Sequence, residues 1–206
     1  MADHAPAHLV PADQLVVRRW RVEDVPRLHA AVIESIDHLR PWMPWVAKEP
    51  LTLAQRVELV AGWAPLWDAG DRMCGMFAGD EVVGGCGLHQ RIGPGGQEIG
   101  YWVRLGYTGR GYATAAARAL VDMAFTLPGV THVEIHHDVA NPASGRVPAK
   151  LGFVHVGDEA HAIEAPGETG TQRIWRMERS AWSARASSPA ISGRSRGWDY
   201  GSAPDG

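Results

Sequence analysis

The stretch LGYTGRGYATAAARAL, Leu105 to Leu120, constrains this chain more than any other. The run before it, QEIGYWVRL, is rich in β-branched and aromatic residues and reads as a strand. The alanine-rich run after it has high helix propensity. Gly106, Gly109 and Gly111 lie between the two. Strand, glycine loop and helix start together form an anion seat: the first N–H groups of the helix lack partners and its dipole favours negative charge. The spacing narrows the choice of anion. A dinucleotide fingerprint needs G-x-G-x-x-G, and here the glycines run the other way, G-x-x-G-x-G. A nucleotide-triphosphate loop needs Lys and then Ser or Thr after its last glycine, where this chain has Tyr112 and Ala113.

The rest of the pattern surrounds that loop with a mixed sheet. Gln14 to Arg21 reads as a strand. Val25, Leu28, Ala31, Val32 and Ile36 recur at helical spacing behind Pro26, and Pro41 and Pro44 close that helix. LTLAQRVELVAGWAPLW predicts a second amphipathic helix with Thr52 as N-cap. RMCGMFAG and VVGGCGLHQ predict a hairpin turning at Gly79-Asp80-Glu81. After the loop and its helix, to about Leu127, HVEIHHDV predicts a strand. NPASGRVPAKLGF predicts a short helix, started by Asn141 and Pro142, stopped at Gly152, and distorted or shortened by Pro148. Two strands follow, near Val154 to Ala162 and Thr171 to Arg179. The order β, α, α, β, β, β, α, β, α, β, β defines an α/β chain, antiparallel in its first half. The helical crossover between the fourth and fifth strands implies a parallel pair there. Composition divides the chain into a flexible N-terminus over 1–13, one domain over 14–182, and a disordered tail over 183–206 built from Ser, Gly, Ala, Pro and Arg, in which Trp198 and Tyr200 stand out.

Composition excludes several classes. At 206 residues and 45% hydrophobic, the chain can bury one sizeable core. A net charge of −3 lacks the footprint of a nucleic-acid binder. No apolar run is long enough for a membrane span or a signal peptide, so the expected location is cytoplasmic. Cys74 and Cys86 fit no zinc or redox spacing and read as free thiols.

TGRGYA, Thr108 to Ala113, resembles the acetyl-CoA loop of the GNAT N-acetyltransferases, Q/R-x-x-G-x-G/A. Gly111 and Ala113 fall on its small positions, and Thr108 departs from the Gln/Arg position. EIGYWV before the loop and NPASGRVPAKLGF after it match the family's neighbouring elements. VVRRWRVEDVPRLHAAVIESIDHLRPWMPW resembles the RimJ/RimL-type branch, which acetylates protein amino termini. The resemblance implies a mostly antiparallel sheet flanked by helices, whose parallel fourth and fifth strands splay apart to hold the pantetheine of acetyl-CoA, with no metal. It implies direct attack of an amine on the thioester. Backbone groups of Tyr101, Trp102 and Val103 would meet the pantetheine. Thr108, Gly109, Arg110, Gly111, Tyr112, Ala113 and Thr114 would hold the pyrophosphate. Asn141 is either a pantetheine contact or an N-cap. Pro148 occupies the position where many members carry a tyrosine acid, so Ser144 is assigned as donor to the CoA sulfur, with helix capping as its other reading. Glu98 is the candidate base. Glu134 is its rival, flanked by His132, His136 and His137, any of which could also serve as the base; alternation puts His132, Glu134 and His136 on one face and His137 on the other. Trp42 and Trp45 either line the acceptor groove or pack in the core. The implied activity is acetyl transfer to a protein α-amino group or lysine, from a monomer or homodimer. A small-molecule amine, or a non-catalytic acyl-CoA-binding module, is the alternative.

Overall fold

The computed structural model describes residues 12–187. Seven strands form one sheet: β1 (Val16–Arg19), β2 (Arg72–Ala78), β3 (Glu81–His89), β4 (Gly96–Val103), β5 (His132–Asp138), β6 (Val154–Ala160) and β7 (Thr171–Glu178), ordered β1-β2-β3-β4-β5-β7-β6. Every neighbouring pair is antiparallel except β4 and β5, which are parallel. The crossover between those two is α3 (Tyr112–Thr126), as the order of elements requires. The other helices are α1 (Val25–Leu39), α2 (Leu53–Ala69), α4 (Pro142–Leu151) and α5 (Arg179–Ser187).

The helices cover the sheet unequally. α3 and α4 close one face, where Ile99, Val133 and Ile135 of the strands meet Ala116, Leu120, Val147 and Leu151 in the main core. α1 packs against the other face near Val60, Phe77 and Val82, in a second cluster that Trp45, Trp63 and Trp102 extend. α1 buries Val25, Leu28, Ala31, Val32, Ser35 and Leu39, one stripe at helical period.

Three elements differ from the sequence-based expectation. α2 has its predicted N-cap, Thr52, which forms a capping box with Gln55, but not the apolar stripe. Its buried residues are Arg56 and Val60, while Leu53, Val57, Leu59 and Leu66 are exposed. The reason is an ion pair: Arg56 Nη2 reaches Glu49 Oε2 at 2.7 Å, with both side chains almost wholly enclosed. α4 runs unbroken through Pro148, for a reason that belongs to the site. The expected boundary at 182 falls inside α5, which is tied down by Trp182 Nε1 donating to Asp122 at 2.7 Å and by Arg185 donating to the carbonyls of Leu151 and Gly152. Trp198 and Tyr200 lie outside the described residues. Cys74 and Cys86 face each other across β2 and β3 as free, buried thiols, and burial pushes Cys74 up to about 12.

Candidate active site

The loop from β4 to α3 is fixed at its β4 end. Leu105 N donates to Ser35 Oγ at 2.9 Å, and Arg104 holds Glu34 and Glu81. Gly109 and Gly111 take left-handed φ of +75° and +84°, conformations side chains rarely adopt, and a Cβ at Gly109 would meet nothing within 4 Å. Gly111 is the N-cap of α3, with no side-chain cap. Thr108 is exposed, and Thr114 and Ala113 are half-buried at the helix start. Tyr112 is buried at 2% exposure beside Tyr107, so its ring belongs to the core. Arg110 stacks over Tyr107, and its buried Nη1 has no hydrogen-bond partner. An unpartnered guanidinium nitrogen, an open glycine mouth and an uncapped helix start fit the pyrophosphate of a CoA-type ligand.

Beyond the loop the sheet opens. The β4–β5 ladder pairs Gly96 with His132, Gln97 with Val133 and Glu98 with Glu134, and ends there. β4 stays paired with β3 to Val103, and β5 stays paired with β7 to Asp138. Past the vertex, the inner edges of both strands therefore face a gap.

On the open face of this gap lies a cluster of charge. His136 Nε2 is 2.7 Å from Glu134 Oε2, and His136 Nδ1 is 3.9 Å from Glu98 Oε2. Arg176 donates to the other oxygen of Glu134 at 2.7 Å. Burial would raise Glu134, but its bonds to His136 and Arg176 outweigh that and hold it below the usual carboxylate range. An ionised carboxylate only accepts, so His136 donates from Nε2 and keeps its basic lone pair on Nδ1. Arg91 grips both oxygens of Glu98 at 2.6 Å. Glu98, the candidate base from sequence, is thus engaged by a guanidinium, and so is Glu134. His136, at 12% side-chain exposure, is the member with a free basic site. A cavity of about 460 Å³ opens here, lined by Arg91, Glu134, His136, Glu159 and Arg176 among others. His132 turns away to bond Thr131, and His137 lies on the opposite face, as alternation predicts.

On the helix face of the gap, α4 places the two residues that carry double readings, Asn141 and Ser144. Asn141 Oδ1 accepts from Ser144 N at 3.1 Å, so Asn141 is the N-cap. The Ser144 hydroxyl caps nothing; its partner is the Tyr101 hydroxyl at 3.1 Å. α4 is set against β5 by His137, which accepts from Trp175 Nε1 at 3.1 Å and donates from Nδ1 to Asp138 O. A Cβ at Gly145 would lie 2.7 Å from His137 Nε2, so glycine there sets how closely α4 approaches.

The tryptophans divide. Trp45 stacks near Trp102 at 6.0 Å in the second cluster, and Trp102 fills the space over Gly85. Trp42 is half-buried in the turn after α1. Sequence reasoning missed Arg91 and Arg176, which neutralise the carboxylates, and the side chain of Tyr101. Alternation along β4 was the available signal for Tyr101, since it follows Gln97 and Ile99 onto the helix face.

Residues 14–154 match the family model described as an acetyltransferase (GNAT) domain. The chain belongs to the GNAT acetyltransferases. A curated relative of this GNAT chain is the putative ribosomal N-acetyltransferase YdaF of Bacillus subtilis (strain 168), 26% identical over 157 residues, covering 75% of this chain and 86% of the relative. Among solved structures, RimL, a ribosomal L7/L12 α-N-protein acetyltransferase in complex with coenzyme A, superposes with a TM-score of 0.74 at 22% identity, over 84% of this chain and 99% of that one. Mycobacterium smegmatis RimJ in complex with CoA-disulfide gives 0.74 at 23% identity, over 83% and 85%. These GNAT neighbours share the sheet with its parallel β4–β5 pair.

Proposed function

We propose that this GNAT enzyme transfers acetyl from acetyl-CoA to the α-amino group of a protein or peptide. The observation that carries the reading is the gap past Glu98 and Glu134, with a histidine base on its open face and a serine hydroxyl on its helix face. Acetyl-CoA supplies the activated acetyl group as a thioester. Gly109, Gly111, Arg110 and the start of α3 hold its pyrophosphate, and the inner edge of β4 at Tyr101 to Val103 meets its pantetheine. His136 Nδ1 accepts the proton that the acceptor amine gives up, and Glu98, 3.9 Å away, stabilises the imidazolium. Glu134 fixes the tautomer through Nε2. The Ser144 hydroxyl donates a hydrogen bond to the sulfur as the C–S bond breaks.

The acceptor class follows from matching acid to base. An α-ammonium titrates near 8 and a lysine near 10.4, against about 6.5 for an ordinary imidazole. At about 1.4 kcal/mol per unit, deprotonating lysine costs roughly 3 kcal/mol more. The names of the relatives, a ribosomal N-acetyltransferase and an α-N-protein acetyltransferase, support the same class.

The test is a peptide panel with acetyl-CoA, read by mass spectrometry, in which each peptide carries a lysine and either a free or a blocked α-amino group. An acetyl group should appear on the free α-amino group and not on the blocked peptides. Lysine acetylation of the blocked peptides at equal rate would move the assignment to side chains. Absence of transfer to every peptide would overturn a protein acceptor.

A further inference from the structure

Pro148 sits inside α4 and has no N–H to give. In an α-helix that N–H would bond the carbonyl four residues earlier, Ser144 O. The vacancy is filled from another element: the Tyr101 hydroxyl, on β4, lies 3.0 Å from Ser144 O. The same hydroxyl lies 3.1 Å from Ser144 Oγ. One phenol proton therefore has two acceptors on one residue. When it bonds Ser144 O, the serine's own proton is drawn back to the phenol oxygen. When it bonds Ser144 Oγ, the serine proton is released to point elsewhere. Burial raises Tyr101 well above the usual phenol value, so the proton stays on the tyrosine at any working pH.

A helical serine left to itself bonds back to a carbonyl of the preceding turn, which would aim its hydroxyl along α4 rather than into the gap. Tyr101 competes with that arrangement from the strand that borders the gap. We propose that Tyr101 is a positioning residue for acetyl transfer, whose hydroxyl, drawn to Ser144 by the N–H that Pro148 lacks, orients the Ser144 hydroxyl toward the departing sulfur. This rests on the reading of Ser144 as donor to that sulfur. No proton leaves the tyrosine. The electron pair of the C–S bond passes to sulfur, Ser144 donates its hydrogen bond there, and Tyr101 turns its own bond from Ser144 O to Ser144 Oγ. The thiolate then takes its proton from water.

The experiment is a double-mutant cycle on the full chain: wild type, Tyr101→Phe, Ser144→Ala and the double variant, each with kcat, KM for acetyl-CoA and thermal midpoint. Tyr101→Phe should lower kcat about tenfold with KM for acetyl-CoA unchanged, a loss that one oriented hydrogen bond can supply. In the Ser144→Ala background the same change should alter kcat less than about twofold, because Tyr101 acts through the serine. A second readout needs no acceptor: the thiol of bound coenzyme A, followed by thiolate absorbance against pH. It should titrate higher in both single variants than in wild type, and no higher in the double variant than in Ser144→Ala. Equal losses from Tyr101→Phe in both backgrounds, or a fall in thermal midpoint with kcat and thiol titration unmoved, would overturn the proposal. An unchanged kcat in Ser144→Ala would overturn it through the serine. If no acceptor is turned over while the thiol titration behaves as described, the acceptor assignment fails and the positioning role stands.

Discussion

The proposed role of His136 as base rests on three neighbours, none adjacent to it in the chain. Glu134 Oε2 accepts a hydrogen bond from its Nε2, Glu98 faces its Nδ1, and Arg176 helps keep Glu134 ionised. His136→Gln should lower kcat by about 10²–10⁴-fold, the usual worth of a general base, with KM for acetyl-CoA little changed. The loss should shrink as pH rises and more of the amine is already neutral, which a kcat profile against pH reads directly. His137, the next residue, has a different role. Burial lowers its pKa, with only partial compensation from its bond to Asp138 O. A histidine held neutral in the fold contributes stability that is complete above its unfolded value, near 6.5, and is lost as pH falls from there through the lowered folded value. Denaturation midpoints should therefore drop on acidification through that window, and less so in His137→Gln. Gly145→Ala would crowd the same ring and should cost about 1–3 kcal/mol. At this scale the Asn141 cap and the histidine faces were legible, since N-cap chemistry and strand alternation are local. The engagement of Glu98 by Arg91 was not, because the arginine lies in the turn between β3 and β4 and sequence gives no measure of where its guanidinium comes to rest.

Among the elements, the segment joining β6 to β7 is tied to the sheet by the carboxylate of Asp138. Asp138, at the end of β5, accepts from Ala140 N, Thr169 N, Thr169 Oγ1, Gly170 N and His161. Burial would raise it, but these donors outweigh burial and hold it far below the usual carboxylate range. Its contribution is therefore complete above about pH 3.9 and persists until the pH falls through the lowered value. The same segment donates Gly167 N to Pro41 O at 2.9 Å, in the turn that carries Trp42 and Trp45, and Glu164 adds its charge to the surroundings of Arg91. Asp138→Asn leaves at least one of these N–H groups without its acceptor. It should cost about 1–3 kcal/mol and raise KM for the acceptor while acetyl-CoA binds normally. The order of strands and helices was readable because hydrophobic period and glycine or proline punctuation are local signals. α2 and Pro148 were not: Glu49 lies only seven residues before Arg56, but the enclosure of that pair is a tertiary result, and Tyr101, which supplies the bond that Pro148 cannot, is distant in sequence.

For the molecule as a whole, composition alone set the domain edge too early. Ser, Ala and Arg after 182 carry no apolar period, yet α5 continues to Ser187 because Arg185 donates to carbonyls at the end of α4. A chain ending at Trp182 should be less stable than one ending at Ser187 by about 1–3 kcal/mol, seen as a lower denaturation midpoint. The central claim concerns the other end of α4's neighbour α3: an anion seat at Gly109 to Gly111 receives acetyl-CoA and delivers it to the gap between β4 and β5. The measurement is titration calorimetry of acetyl-CoA against wild type, Gly109→Asn and Gly109→Asp. Asparagine and aspartate have the same shape, both tolerate the left-handed backbone of Gly109, and a side chain there meets open space. They differ in charge, and a carboxylate about 4 Å from a phosphate costs roughly 4 kcal/mol near a protein surface. The Asn variant should bind within about tenfold of wild type, and the Asp variant at least about 100-fold more weakly. Equal binding by the two would contradict the account.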